Sequence, residues 1–425
     1  MIKTNKYFII TFGCQMNESD SERIAGFLEN IEYEQVFKID NADLIVANMC
    51  SIRQSAVDRV YGLKQKFNKL KNYNPKLITI LTGCILKKDK RKLKEYFDFI
   101  LDIKDLPSWP RILNNKYKTL NAKCYLNIKP KYSLPKIAYV PISNGCSNFC
   151  TYCVVPHVRG PLIHRPVKDI IKEINTLIKN KYKEIWLLGQ NVNSYKSQTP
   201  KINFSKLLEM INEISGDFWI RFTSSNPKDF SDELINTMAK CEKITPYLNL
   251  PVQSGNNQIL KKMNRKHTIE KYKEIIKKIR KKIPNIVLST DIIVGFPGET
   301  KKQFNDTAKL LKQIKYDMIY INKYSPRPET LASKIKDSIS NIEKKERGKI
   351  LNKILEQTVL EKNKIYIGKI IKVLPTEWKN GFLFGKSFDY KSIKLKGPKK
   401  LLGQFINIKI KNSSPWGLNG YKYEK

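Results

Sequence analysis

The chain has 425 residues, of which 41% are hydrophobic and 10% aromatic, enough for about two or three packed domains and against long disorder. Its formal net charge of +40, from 79 Lys and Arg against 39 Asp and Glu, points to a polyanion such as RNA, with a Lys-, Asn- and Ile-rich composition as the competing explanation, so charge alone does not decide the partner. Met1 to Lys6 lead straight into a strand-like run without an apolar leader, and no 18-residue apolar stretch occurs, so a soluble cytoplasmic protein is expected.

From Lys6 to about Pro110, short apolar runs alternate with helical periods. Strands are predicted at Tyr7–Phe12, Leu44–Ala47, Leu77–Leu81 and Phe99–Leu101, with helices at Ser19–Glu29 and Ser55–Leu70. The second helix rests on Ala56, Val60, Leu63, Phe67 and Leu70 at three- and four-residue steps. Strand–helix alternation implies a parallel sheet. Three of its strand ends carry a cysteine: Gly13-Cys14, Met49-Cys50 and Gly83-Cys84. Ligands of open α/β sheets gather at carboxyl strand ends. Separations of about one βα unit let the three loops converge, and a metal-cluster site is preferred over three unrelated buried cysteines.

A Lys-, Asn-, Tyr- and Pro-rich stretch follows with little periodicity and reads as a linker. Strands are then expected at Ala138–Ile142, Glu184–Leu188, Trp219–Phe222, Tyr247–Leu250, Val287–Ile293 and Met318–Tyr324. Helices fill the gaps at Val167–Asn180, Phe204–Ile214, Ser231–Lys240, Ile269–Lys281 and Lys301–Ile314. Serial βα units predict a barrel or partial barrel with its site on the loops after the strands. The first of those loops holds Cys146, Cys150 and Cys153, spaced C-x3-C-x2-C after the turn pair Asn144-Gly145. Thiolates this close repel unless a metal or cluster neutralises them, and Cys thiolates are the standard iron–sulfur ligands. Three ligands on a four-iron cube leave one iron open for a substrate.

A lysine-rich helix, Ser340 to Asn363, closes this region. Short β-like runs at Ile365–Leu374, Phe382–Phe384, Ser392–Leu395 and Phe405–Ile410 then predict a small antiparallel barrel of the kind that binds oligonucleotides. Lys391, Lys394, Lys396, Lys399 and Lys400 with Phe384, Phe388 and Tyr390 give the basic and aromatic mix that RNA binding uses. Cys124 and Cys241 read as ordinary small apolar residues, and the three histidines have no zinc spacing.

C-x3-C-x2-C after a first barrel strand resembles the radical S-adenosylmethionine (SAM) superfamily. The added N-terminal cysteines and the terminal barrel narrow the resemblance to the methylthiotransferases. Thr11-Phe12-Gly13-Cys14-Gln15-Met16-Asn17, Cys50-Ser51-Ile52-Arg53, Cys150-Thr151-Tyr152-Cys153-Val154-Val155-Pro156 and Arg159-Gly160 resemble the MiaB subgroup, as do Leu188 to Asn193, Leu250 to Gly255 and Gly295 to Thr300. His164 and Met49 depart from the commoner Ser and Thr. The resemblance implies an α/β chain in four parts: an auxiliary-cluster domain with an open parallel sheet (1–115), a linker (116–133), a partial (β/α)6 radical SAM core (134–363) and a small antiparallel, OB-like barrel of the TRAM type (364–425).

It further implies conversion of C2–H to C2–SCH3 on N6-(dimethylallyl)adenosine at position 37 of tRNA. An aromatic C–H is too inert for acid–base chemistry, and a cofactor carries such a step. Two [4Fe–4S] clusters are implied, one on Cys146, Cys150 and Cys153 that cleaves SAM to a 5′-deoxyadenosyl radical, the other on Cys14, Cys50 and Cys84 that holds the transferred sulfur. Two SAM molecules are used per turnover. Gly189, Gln190 and Asn191 are expected near the SAM amino group, and Ser224 and Gln253 near its ribose or carboxylate. Gly295 is expected under the adenine, while Arg221 is read either as a SAM contact or as half of a structural ion pair. Glu299 is read, with Thr300, as a helix start. Implied partners are tRNA, an electron donor such as a flavodoxin or ferredoxin, and an iron–sulfur or sulfur-supply protein; no membrane is involved and the chain is expected to be a monomer. The competing readings are a methylthiotransferase for threonylcarbamoyl-adenosine tRNA or a ribosomal protein, and a non-catalytic iron–sulfur RNA-binding protein.

Overall fold

β-Branched runs bounded by polar turns set the strands, and amphipathic periods set the helices that cover them. A computed structural model describes residues 5–52, 54–113 and 124–424; Arg53 of the quoted motif and 116–123 of the expected linker lie outside the described residues. Among the described residues five strands form an all-parallel N-terminal sheet, in spatial order Glu34–Gln35, Lys6–Phe12, Leu44–Cys50, Ile78–Cys84, Phe99–Ile100. The two-residue edge strand Glu34–Gln35 was too short to show a period. The central strand Leu44–Cys50 is buried along its whole length, as a strand covered on both faces must be.

The helix expected over Ser55–Leu70 is two helices, Gln54–Tyr61 and Leu63–Tyr73. Gly62 separates them, and the apolar period runs on across the break. Tyr125, Leu126 and Ile128, placed in the linker from sequence, are buried in the N-terminal core.

In the middle of the chain, Ile137–Pro141, Glu184–Leu188 and Trp219–Phe222 form one parallel sheet, and Tyr247–Asn249, Val287–Val294 and Met318–Lys323 another. Between the two sheets the pairing lapses to a single bridge, Ile220 to Ile244, so this is an open barrel of two halves. Helix Val167–Lys179 shows why it packs: Val167, Ile170, Ile174 and Leu177 are its buried face, a stripe at helical spacing. Thr300 caps helix Lys301–Ile314 by accepting from Gln303 N, as expected, whereas Glu299 turns inward to Arg347 at 2.7 Å.

The terminal domain is a closed barrel of five strands among the described residues: Ile370–Lys379, Phe382–Ser387, Ser392–Lys396, Ile406–Ser414 and Gly417–Lys422. The last strand was missed because Gly417, Asn419 and Gly420 mask its period. It also makes the barrel mixed, since Ser392–Lys396 and Gly417–Lys422 pair parallel. Phe388, Tyr390 and Lys391 are not RNA-facing. Phe388 lies 5.5 Å from Trp219 and Tyr390 4.3 Å from Tyr247, ring centroid to centroid, while buried Lys391 donates to Asp317 at 2.7 Å. These rings plug the amino end of the central barrel. No helix among the described residues is long and apolar enough to cross a membrane.

Candidate active site

Both cysteine trios lie at carboxyl ends of strands. Cys50 and Cys84 close neighbouring strands in register, and Ser51 N donates to Cys84 O at 2.8 Å. Cys14 stands two residues beyond its strand, at the N-cap of helix Gln15–Asn30. Beneath the trio, Asn17 Nδ2 donates to Asn48 Oδ1 at 2.9 Å and to Met49 O at 3.1 Å. Asn48 Nδ2 returns a bond to Asn17 O at 2.8 Å. These buried amides fix the Cys14 turn against the strand that ends in Cys50, and the Ser51–Cys84 backbone bond ties in the third strand end.

Cys14 is exposed at the rim of the trio, and its thiol is pushed up by desolvation from the protein packed around it and then by Cys84. Cys50 and Cys84 share a hydrogen bond that lowers Cys50 and raises Cys84, with burial adding to the rise. The three sulfurs therefore feel one another, and the trio lies within one electrostatic site.

On the barrel side, Gly145 pinches the loop at its root. Its φ is 82°, and a Cβ there would lie 2.1 Å from Pro161 O, so only glycine lets the two ends of the Cys-bearing loop meet. Cys146 is buried, and burial raises its thiol. Cys153 is pushed up to about 12 by burial first, and by Cys150 and Cys146 as well. Asn148 Nδ2 points to Cys146 Sγ at 3.4 Å, and Arg265 Nη1 to Cys150 Sγ at 3.8 Å. Left as free thiols, Cys146 and Cys153 would stay protonated at neutral pH; an electropositive iron cluster is what would make thiolates of them. Among the described residues no group of three His, Cys, Asp or Glu side chains is brought together as a metal-ion site. The all-thiol donor sets are of the chemical kind that iron–sulfur clusters take.

Next to this loop lies a set of unsatisfied polar atoms. Ser143 Oγ, Gln190 Oε1, Asn191 Oδ1 and Ser225 Oγ are buried without partners, at the ends of the first three barrel strands. Such atoms cost free energy unless a ligand or an ordered water meets them. A Cβ on Gly189 would lie 2.6 Å from Ser143 Oγ, so the glycine keeps this recess open. Asn191 is held by its Nδ2, which donates to Asp229 Oδ2 at 2.7 Å. Ser224 and Gln253 both hold left-handed backbone, φ 63° and 72°, strain that is concentrated at ligand-handling turns. The residues fit an ammonium- and carboxylate-bearing ligand such as SAM.

Two expected contacts are engaged elsewhere. Arg221 is fully buried: Nε donates to Glu184 Oε2 at 2.8 Å, Nη1 to Thr245 Oγ1 and Phe388 O at 3.0 Å, and Nη2 to Ser387 O at 2.8 Å. Of its two sequence readings, the structural ion pair is the one present. At Gly295 the N–H donates to Glu299 Oε2 at 2.8 Å. The face a side chain would take is filled by the Lys344 chain, whose Cγ lies 2.4 Å from that Cβ position. Sequence reasoning missed Arg159, Asp20 and Arg265. The word Arg159-Gly160 was the available signal for the first; the other two are charged residues whose burial only the fold reveals.

An open α/β barrel with C-x3-C-x2-C after its first strand, abutting a sheet with three strand-end cysteines, defines a radical SAM enzyme. Residues 140–311 match the radical SAM superfamily, and residues 6–102 match the uncharacterized protein family UPF0004. The fold resembles the radical SAM methyltransferase TsrM from Kitasatospora setae, solved with cobalamin and a [4Fe–4S] cluster (TM-score 0.55, 11% identity, 78% of this chain and 77% of that one). It also resembles the cobalamin-dependent SAM radical enzyme OxsB (TM-score 0.53, 12% identity, 84% and 56%). Among curated proteins, tRNA-2-methylthio-N(6)-dimethylallyladenosine synthase of Clostridium botulinum strain Okra is 40% identical over 98% of this chain and 96% of its own. Those of Clostridium novyi (99% and 97%) and Alkaliphilus oremlandii (98% and 93%) are also 40% identical. The chain belongs to this family of radical SAM tRNA methylthiotransferases.

Proposed function

We propose that the protein converts C2–H of N6-(dimethylallyl)adenosine at position 37 of tRNA to C2–SCH3. The observation that carries this reading is the pairing of two strand-end cysteine trios within a chain that aligns end to end with enzymes named for that product. Bound by Cys146, Cys150 and Cys153, a [4Fe–4S] cluster with an open iron would supply reductive cleavage of one SAM, and a second cluster on Cys14, Cys50 and Cys84 would supply the sulfur that a second SAM methylates. Gln190 Oε1 and Asn191 Oδ1, with the Ser143 and Ser225 hydroxyls, accept from and orient the ammonium of a SAM at the open iron. Ser224, beside Ser225 at the third strand end, and Gln253, at the fourth, present backbone and side chain to the same ligand. Arg221 is left out because its donors are already taken, and Gly295 because the Lys344 chain fills the face an adenine would need.

The exposed Lys394, Lys396, Lys399 and Lys400, with Trp416 (65% exposed), form the RNA-facing surface of the terminal barrel. A cytoplasmic setting, a flavodoxin- or ferredoxin-type donor and a sulfur-supply protein follow from the reaction, which consumes electrons and sulfur. Mass spectrometry of tRNA nucleosides from a deletion strain and its complemented parent tests the substrate. The methylthio-dimethylallyl nucleoside should vanish and return with the gene. Its persistence in the deletion strain, with loss of a methylthio-threonylcarbamoyl nucleoside instead, would select the other tRNA reading.

A further inference from the structure

Arg159 ends the short helix Val155–Arg159, which starts two residues after Cys153. Its side chain turns away from the loop that carries it and enters the N-terminal domain. Nε donates to Cys84 Sγ at 3.0 Å, Nη2 to Asp20 Oδ2 at 2.7 Å and Nη1 to Asn144 Oδ1 at 3.0 Å. Asp20 rides on the helix capped by Cys14, and Asn144 precedes the pinch at Gly145. One buried guanidinium thus touches a cysteine of the N-terminal trio, the helix behind a second, and the root of the other trio's loop. Arg159 is 5% exposed and Asp20 is fully buried.

An ion pair alone would need only Asp20. The third bond, to sulfur, is what a purely structural pair leaves unexplained. Guanidinium holds its N–H groups in a planar fork, so aiming Nη2 at Asp20 and Nη1 at Asn144 fixes where Nε points. Hydrogen bonds to cluster sulfurs are among the factors that set iron–sulfur potentials, and groups behind metal ligands orient them. A cationic donor at a thiolate stabilises the more negative, reduced cluster.

We propose that Arg159 is a positioning residue of the sulfur-donating site: through its Nε–H bond to Cys84 it raises the potential of the cluster held by Cys14, Cys50 and Cys84, and ties that cluster's seat to the SAM-cleaving loop. The inference rests on the assignment of a cluster to this trio. Arg159→Lys keeps the charge and loses the fork.

The test uses the full chain with Cys146, Cys150 and Cys153 all changed to Ala, so that only the N-terminal trio can hold iron, with and without Arg159→Lys. Iron content, an EPR-monitored reductive titration and iron loss to a chelator are measured. The lysine variant should reduce at a more negative potential and release iron at least roughly tenfold faster, the low end for groups behind metal ligands. In the chain with all cysteines, it should still yield 5′-deoxyadenosine from SAM while methylthiolated product falls by about 10- to 100-fold. Unchanged potential and iron release would overturn the inference and leave Arg159 a structural ion pair. Absence of iron from the triple-Ala chain with Arg159 intact would instead overturn the cluster assignment itself. Should the lysine chain fail to fold, Arg159→Gln with Asp20→Asn removes both charges of the buried pair and undergoes the same titration, with the same expected fall in potential.

Discussion

Arg221 joins the central barrel to the terminal one, and its removal is a quantitative test of that role. Arg221→Met keeps the volume and leaves Glu184, 3% exposed, with Trp186 Nε1 at 2.5 Å as its remaining side-chain donor. It also strips donors from Thr245 Oγ1 and from the Ser387 and Phe388 carbonyls. Breaking a buried ion pair from one side costs about 3–5 kcal/mol. At about 2–4 °C per kcal/mol for a unit of 150–250 residues, the first thermal transition should fall by roughly 6–20 °C. Adding Glu184→Leu removes the stranded carboxylate and should recover part of the loss, with the Phe388 carbonyl still costing about 1–3 kcal/mol while Ser387 O keeps Tyr390 N at 2.9 Å. Circular dichroism melts give the stabilities, and anaerobic 5′-deoxyadenosine formation reports SAM handling. The double variant should cleave SAM at near parental rate below its melting transition. A folded double variant that had lost SAM cleavage would refute the reasoning and make Arg221 a SAM contact. A single variant melting within about 2 °C of the parent would show that the pair does not hold the domains together.

Cys150→Ala should abolish 5′-deoxyadenosine formation, whereas Cys50→Ala should spare it and stop methylthiolation; loss of both activities in each variant would point to a collapsed fold. His267 is lowered from 6.5 to about 4 by burial and by Arg265. The unfolded chain therefore takes up the proton first, and as pH falls from 6.5 towards 4 up to about 3 kcal/mol of stability is lost. His267→Gln should flatten that part of the urea-midpoint profile, and an unchanged slope would assign the acid sensitivity elsewhere. Lys394→Ala should weaken tRNA binding and reduce the salt slope by about one. Trp416→Ala should cost about 1–3 kcal/mol of base stacking with the slope preserved. Fluorescence anisotropy at several salt concentrations separates the two effects, and a Lys394 variant with an unchanged slope would place the RNA on another face.

Periodicity carried the fold a long way. Glu184–Leu188, Trp219–Phe222 and Lys301–Ile314 are the same in sequence and structure, because their apolar patterns are unbroken and their ends are marked by turn residues. It failed where tertiary packing overrides pattern, at Gly62 and at the glycine-broken strand Gly417–Lys422. The cysteines were legible as strand-end residues, and the register that sets Cys50 beside Cys84 follows from the parallel order. Residue type alone could not say which way a polar side chain turns. Arg221 and Tyr390 look like ligand-binding residues in one dimension and form a domain contact in three. Arg159 has the opposite history, a motif residue whose partner lies 75 positions away in sequence.

The two cysteine sites are held together by more than Arg159. The segment after the last barrel strand ties to both: Ala332 N donates to Thr151 O at 2.8 Å, inside the Cys146–Cys153 loop. On the other side Arg327 Nη1 donates to Gln54 Oε1 at 2.7 Å, and Lys87 N donates to Glu329 Oε1 at 3.2 Å, both close in sequence to Cys50 and Cys84. On the proposed reading the adenosine is presented on this side, at the carboxyl ends of both sheets. The terminal barrel caps the opposite, amino end. A strand of eight residues such as Val287–Val294 spans roughly 26 Å, so on that reading a tRNA held at Lys394 would run along the barrel side to present its base. Deleting 365–425 to test RNA binding would uncover Trp186, Trp219, Tyr247 and the Arg221–Glu184 pair at once. Lost activity would then report a damaged barrel floor, whereas changing the exposed Lys394 or Trp416, neither of which takes part in those floor contacts, separates RNA grip from barrel integrity.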